Sequence, residues 1–239
     1  MSVTLVTGSA RGLGRAVAER LAGDGDRVHV VWRSSTELVD RLVAAFGRDR
    51  VHQADLEDRA QASALVARVV ERDGGLDRVV HAVGGYASGP TSEIGAELLQ
   101  QLWSSNVATA QHVFDAARPE LRRAAHGRAV FFGCAGLAGL RARRTIAAYA
   151  AAKSALVVLA RSWALEEAPF GVTVNLVSPG LVPHDGAHPD TLDPALQASL
   201  PAGRAGRPEE VAEAVRWLVS DAAGYTTGTE LLVSGGWLI

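Results

Sequence analysis

The chain has 239 residues, 48% of them apolar, a formal net charge of −2 and a single cysteine. Charges of both signs with no basic stripe argue against a nucleic-acid partner, and no run approaches the ~20 unbroken apolar residues that span a bilayer. One cysteine excludes an internal disulfide framework, and the N-terminus lacks a basic segment leading into an apolar one, so a cytoplasmic protein is expected.

Along the chain, short apolar runs alternate with stretches of helical period. "VTLVTG" (3–8) reads as a buried strand and residues 14–21 as a helix; "RVHVVWR" (27–33) and "TELVDRLVAAF" repeat the pair. "RVHQADL" (50–56) and "RAQASALVARVVERD" give the third, and "LDRVVHAVGG" (76–85) leads into a long helical region over 92–123. "GRAVFFGCAG" (127–136) precedes a helix holding "AAYAAAKSALVVLARSWA" (147–164). "GVTVNLVSPG" (171–180) is the sixth strand, and the helix "PEEVAEAVRWLVSD" and the short strand "TELLVSG" close the chain. Strands alternating with helices predict an α/β fold with βαβ units on a parallel sheet, read as one domain over 1–239. The Pro- and Gly-rich segment at 181–207 is the exception; long irregular loops in such folds are often lids.

"TGSARGLG" (7–14) sits between the first strand and first helix, where a dinucleotide site would lie. Gly8, Gly12 and Gly14 let the backbone turn tightly and approach a pyrophosphate, with Ser9, Arg11 and Leu13 between them, while the helix start offers free N–H groups. The same glycines could simply turn the chain from strand to helix. NAD-preferring sites usually carry an acid about 20 residues beyond the glycine turn. Here the second strand ends in Arg33, Ser34 and Ser35, and no acid lies between Asp26 and Glu37. Those three, with Arg11, suit the 2′-phosphate of NADP(H), because arginine forks match phosphate oxygens; both arginines could equally be solvated surface residues. Asp55, before Leu56 at the end of the third strand, is placed to bind the adenine amino group.

Of 24 basic residues only one is lysine: Lys153, four positions after Tyr149. In a helix both side chains emerge on one face. A nearby ammonium favours the phenolate and brings a tyrosine of pKa near ~10 towards working pH. The pair then forms an acid–base device for a carbonyl or alcohol, which a hydride from a nicotinamide would complete. An inconsequential surface pair is the competing account, and a chain that otherwise uses arginine throughout weighs against it.

TGxxxGxG, Y-x3-K and "SPG" (178–180), with "GRPEEVAEAVRWLVSD" and "TTGTELLVSGG", together resemble the short-chain dehydrogenase/reductase family over essentially the whole chain. The resemblance implies a Rossmann-like doubly wound parallel sheet of about seven strands, NAD(P)(H) along its C-terminal edge, and a homo-oligomer, tetramer or dimer. It further implies that Lys153 binds the nicotinamide ribose, that Asn106 holds a water in a proton relay, and that Gly84, Pro179 and Gly180 lie against the cofactor.

The pattern breaks in places. The family usually has a serine about a dozen residues before the tyrosine, whereas Cys134 stands nearest that position. A thiol is a weaker donor than a hydroxyl, and Cys134 is either that weak donor or a small buried apolar residue. "HAVGG" (81–85) replaces Asn-Asn-Ala-Gly, and Ser234 stands where many members have aspartate. His184 and His188, in the candidate lid, read as solvated, and no metal site is expected. The expected activity is NADPH-dependent reduction of a small-molecule ketone, with the chain resembling ketoreductases of aromatic polyketide pathways, including those acting on angucyclinone-type ketones. The alternatives are a reductase of β-ketoacyl thioesters or small carbonyls, and a non-catalytic NADP-binding sensor.

Overall fold

β1 (Val3–Thr7) is buried along its whole length, as a central strand must be when helices cover both faces of a parallel sheet. In the computed structural model, which describes residues 1–137, 139, 141–183 and 194–238, six more strands join it: β2 (Arg27–Trp32), β3 (Val51–Gln53), β4 (Arg78–His81), β5 (Arg128–Phe132), β6 (Thr173–Pro179) and β7 (Glu230–Val233). All pair in parallel in the order β3-β2-β1-β4-β5-β6-β7. The helices are α1 (Gly12–Gly23), α2 (Val39–Phe46), α3 (Arg59–Asp73), α4 (Ala96–Trp103), α5 (Thr109–Arg123), α6 (Ala147–Glu167), α7 (Pro194–Ala198) and α8 (Pro208–Leu218).

Two apolar layers hold the sheet. On one face Leu65 and Val69 of α3, Val113 and Phe114 of α5, and Leu156 and Trp163 of α6 pack on the strands. There the Phe114 and Trp163 rings stack with centroids 4.7 Å apart. On the other face Val17 and Leu21 of α1, Leu42 of α2, and Val211, Val215 and Leu218 of α8 do the same. Burying each such side chain contributes about 1.5–3 kcal/mol, and this layer energy sets the sheet in place.

The sequence-based expectation of a doubly wound sheet holds, with differences at the C-terminal ends of the strands. β3 is three residues rather than seven, β4 stops at His81, and β5 stops at Phe132. The chain leaves the ladder at these points: Gly85 hydrogen-bonds the side chains of Ser105 and Asn106 instead of a strand. The helical region expected over 92–123 divides into α4 and α5 at a π-helical turn, Ser104–Ala108. Part of the candidate lid forms α7, while His184 and His188 lie outside the described residues. Among the described residues no helix is long and apolar enough to cross a membrane, and no cluster could hold a metal ion.

Candidate active site

The strand order reverses between β1 and β4, and chains leaving there in opposite directions open a crevice at the C-terminal edge. The glycine turn forms its floor. Gly8 has φ +68°, and a Cβ there would lie 2.6 Å from the Ala82 carbonyl oxygen at the end of β4. A Cβ on Gly14 would strike the Gly8 carbonyl, and one on Gly180 would lie 2.8 Å from Ser234 Cα. These positions have room for backbone alone. Gly12, Leu13 and Gly14 open α1, so their N–H groups face the crevice without intrahelical acceptors.

The Ser9 hydroxyl is spent internally, donating to Val6 O (2.8 Å) and accepting from the Val31 N–H (2.8 Å). It stitches β1 to β2, leaving only its backbone for a ligand. Arg33 and Ser34 are exposed and Ser35 half-buried just beyond β2. Arg33 pairs with Glu57 at 3.1 Å and approaches Asp55 to 3.9 Å. Arg11 caps the start of α1 with an extended backbone and an exposed side chain. Asp55 Oδ1 accepts the Glu57 N–H (3.1 Å), and buried Leu56 offers its carbonyl to His112 Nδ1 (3.0 Å). Pro179 O accepts from the Ala135 N–H (3.0 Å), which ties the end of β6 to the chain just past Cys134.

Lys153 is only 4% exposed and donates to Phe132 O at 2.8 Å, with its Nζ 5.8 Å from the Tyr149 ring centre. Burial draws its pKa down to about 8, with Cys134 pulling weakly the other way. Tyr149 moves upward: burial dominates, and Cys134 and Tyr86 add to it. The net shift is therefore upward, against the expected lowering, because desolvation of a half-buried phenol outweighs the neighbouring cation, which is directed at a carbonyl. Tyr149 thus keeps its proton, the state a donor to a ketone oxygen needs.

Asn106 lies in the π-helical turn, a feature frequent at functional sites. It is fully buried and donates from Nδ2 to Gly85 O (2.9 Å) and Leu102 O (3.0 Å), while its Oδ1 has no partner. A Cβ on Gly84 would strike that Oδ1 and lie 3.1 Å from Lys153 Nζ. An orphan acceptor and an ammonium thus converge on one glycine.

Cys134 is half-buried beyond β5, and its thiol pKa is raised by burial, against Lys153 and Arg143, with Glu230 adding to the rise. The thiol is therefore a neutral, weak donor beside the Tyr149–Lys153 pair.

Sequence reasoning missed four residues. His81 is buried, with Nδ1 2.8 Å from Thr7 Oγ1 and Nε2 3.1 Å from Thr109 Oγ1. Thr109 already donates to Ser105 O (2.7 Å), so His81 must donate from Nε2 and accept at Nδ1. It pins the π-helical turn to β1 and β4, and its place at the first position of the expected Asn-Asn pair was the available signal. Ser105 accepts the Gly85 N–H (3.2 Å). Tyr86 packs edge-on to Tyr149 with centroids 5.1 Å apart. Arg143 Nη2 is buried without a hydrogen-bond partner against Gly136, two residues past Cys134. No sequence pattern marks the last three.

The sequence model described as Enoyl-(Acyl carrier protein) reductase matches residues 8–238. A short-chain dehydrogenase/reductase of Serratia marcescens, solved as a double variant, is 30% identical, superposes with a TM-score of 0.89 and covers 100% of this chain and 98% of its own. The chain belongs to the short-chain dehydrogenase/reductase family. Its members bind a nicotinamide cofactor and catalyse oxidoreduction, and this chain is an NAD(P)-dependent oxidoreductase. A variant of the actinorhodin polyketide ketoreductase solved with NADPH is 29% identical, with a TM-score of 0.88, over 99% of this chain and 97% of its own. A Streptomyces violaceoruber protein named as a ketoacyl reductase of the granaticin polyketide synthase is 36% identical over 98% of this chain and 95% of its own. The glycine cradle and the α1 amides fit the family's dinucleotide.

Proposed function

We propose that the protein is a cytoplasmic NADPH-dependent ketoreductase of secondary metabolism, acting on a polycyclic aromatic polyketide ketone. The observation that carries the reading is the pair at the crevice: a Tyr149 hydroxyl that burial keeps protonated, beside a buried Lys153. When bound, the nicotinamide would supply the hydride for the carbonyl carbon. Tyr149 gives its proton to the carbonyl oxygen, and the Lys153 ammonium stabilises the phenolate left behind. Asn106 Oδ1, which converges with Lys153 Nζ at Gly84, would hold a water through which a replacement proton returns by way of the lysine. Gly8, Gly12 and Gly14 cradle the pyrophosphate with the α1 amides, while Gly84, Pro179 and Gly180 bound the nicotinamide side.

NADPH over NADH is supported by Arg33, Ser34 and Ser35 just beyond β2, by the exposed Arg11 at the start of α1, and by the NADPH complex of the actinorhodin relative. The exposed pairs of Arg33 with Glu57 and Asp55 are of the weak surface kind, and a 2′-phosphate can exchange for them. The polyketide class is supported by two relatives named for such pathways. A β-ketoacyl thioester is the second reading, favoured by the word ketoacyl in the granaticin relative's name. A non-catalytic sensor has no use for a buried lysine beside a protonated tyrosine.

NADPH oxidation against a panel running from small diketones and β-ketoacyl thioesters to polycyclic quinones tests this. Tyr149→Phe is expected to remove turnover by about two orders of magnitude or more while NADPH still binds. Undiminished turnover in that variant would sink the mechanism.

A further inference from the structure

The chain between β4 and α4 is fastened at two points. Near its start, Gly85 donates to Ser105 Oγ (3.2 Å) and accepts from Asn106 Nδ2 (2.9 Å). Further on, the Gly89 N–H donates to Thr145 O (2.6 Å), just ahead of α6. Between these ties stands Tyr86. Its ring meets that of Tyr149 at 69° with centroids 5.1 Å apart, yet Tyr86 remains 67% exposed. Tyr149 itself packs, with Ala87, Ile94 and Leu98, against buried Leu102 and Val107, which fixes the position of the ring that Tyr86 meets. Edge-on aromatic contacts leave ring surface available to a further ring, and tyrosine offers broad contact area at low conformational-entropy loss.

The opposite requirement comes from Cys134. A neutral thiol orients a ketone poorly, so another group has to hold the carbonyl against Tyr149. Contact area can do this where a hydrogen bond does not. We infer that Tyr86 is a specificity-determining residue, whose exposed ring stacks on the planar ring system of a fused aromatic ketone and thereby holds its carbonyl at Tyr149. This rests on the proposed role of Tyr149 as proton donor. Flat, fused rings are favoured because they can cover the exposed Tyr86 ring while their carbonyl lies at Tyr149, whereas a small aliphatic ketone cannot span both.

The test compares kcat/KM for a fused-ring phenolic ketone and a small aliphatic diketone in the wild type, Tyr86→Ala and Tyr86→Phe. The planar-to-aliphatic ratio is expected to fall about tenfold in Tyr86→Ala, mainly through KM, and to persist in Tyr86→Phe, because the ring and not the hydroxyl is at work. A ratio equal to that of the wild type in Tyr86→Ala overturns the inference, whether both rates fall together or neither does. Binding of the same planar ketone in the presence of NADP+, followed by quenching of tryptophan fluorescence, separates the two proposals. Weakened binding in Tyr86→Ala with no ketone turned over by the wild type would sustain the stacking role and end the ketoreductase reading. Equal binding by the wild type and Tyr86→Ala would end the stacking role.

Discussion

Lys153 has its ammonium in a place where burial brings its pKa to about 8 while a carbonyl oxygen holds it at 2.8 Å. The ammonium is present below that pH and lost above it. Ketone reduction is therefore expected to fall as pH rises through about 8, in a profile of kcat measured with saturating NADPH. A flat profile from pH 6 to 10 would show that the lysine charge is not used. Cys134 makes a second point at this scale. If the thiol occupies the place of the usual serine, Cys134→Ser introduces a stronger donor and turnover of simple ketones rises. No change would mean that other groups organise the carbonyl, Tyr86 among them.

At the level of elements, the active site depends on how the π-helical turn Ser104–Ala108 is tied to the sheet. His81 makes that tie as a neutral ring, and burial, aided by the field of Lys153, lowers its pKa from 6.5 to about 3. A folded-state pKa below the unfolded one means that the unfolded chain takes up the proton first. Stability from this group is then full above pH 6.5, declines as pH falls, and levels off near pH 3. At pH 5 the loss is about 2 kcal/mol. His81→Asn keeps an acceptor for Thr7 at the Nδ1 position, gives up the Thr109 bond and does not titrate, so the drop in melting temperature from pH 7 to 5 should shrink in that variant even though its stability at pH 7 is lower. A further contribution is expected from β2 and β3, where burial lowers the pKa of both His29 and His52. Their rings lie 2.9 Å apart at Nδ1 and Nε2, with Asp73 2.7 Å from His29 Nε2. An undiminished drop in His81→Asn would show that His81 carries none of the acid sensitivity.

For the whole molecule, the outer surface of α4 and α6 is unusually apolar. Trp103 is 51% exposed, Val158 65% and Leu165 79%, and a cleft between the helices is lined by Leu99, Gln100, Trp103, Ala148, Ala151 and Ala152. Large exposed apolar residues grouped in this way mark an association surface. A second copy of the chain is the occupant we propose, consistent with the homo-oligomer that the resemblance implies. Trp103→Arg combined with Val158→Arg should convert the oligomer to monomer in light scattering; a wild type already monomeric would refute the assignment. Because Leu102 and Ala152, neighbours of those residues, pack around Tyr149, dissociation is also expected to lower turnover.

Much of this protein was legible without coordinates. Alternating strands and helices specified the doubly wound sheet, because a strand covered on both faces must be a continuous apolar run and a helix must show a 3.6-residue period. The glycine turn and the Tyr149–Lys153 spacing were equally plain, since both are local: one follows from a turn that has no room for Cβ atoms, the other from helical geometry. Local patterns do not carry desolvation or convergence. The sequence predicted a tyrosine made more acidic by its lysine, but tertiary burial raised the Tyr149 pKa and turned Lys153 towards Phe132 O. Likewise Gly84, Asn106 and Lys153 come from three separate elements and meet only when the sheet is wound. His81 looked like no more than a substitution in the fourth strand until Thr7 and Thr109 were brought to its two nitrogens. Tyr86 and Tyr149 are far apart in the chain, and the ties at Gly85 and Gly89, with the packing of Ala87 and Ile94, set one ring against the other. Sequence period fixes which elements form; the packing of those elements decides what each side chain meets, how much water it loses, and so which proton it keeps.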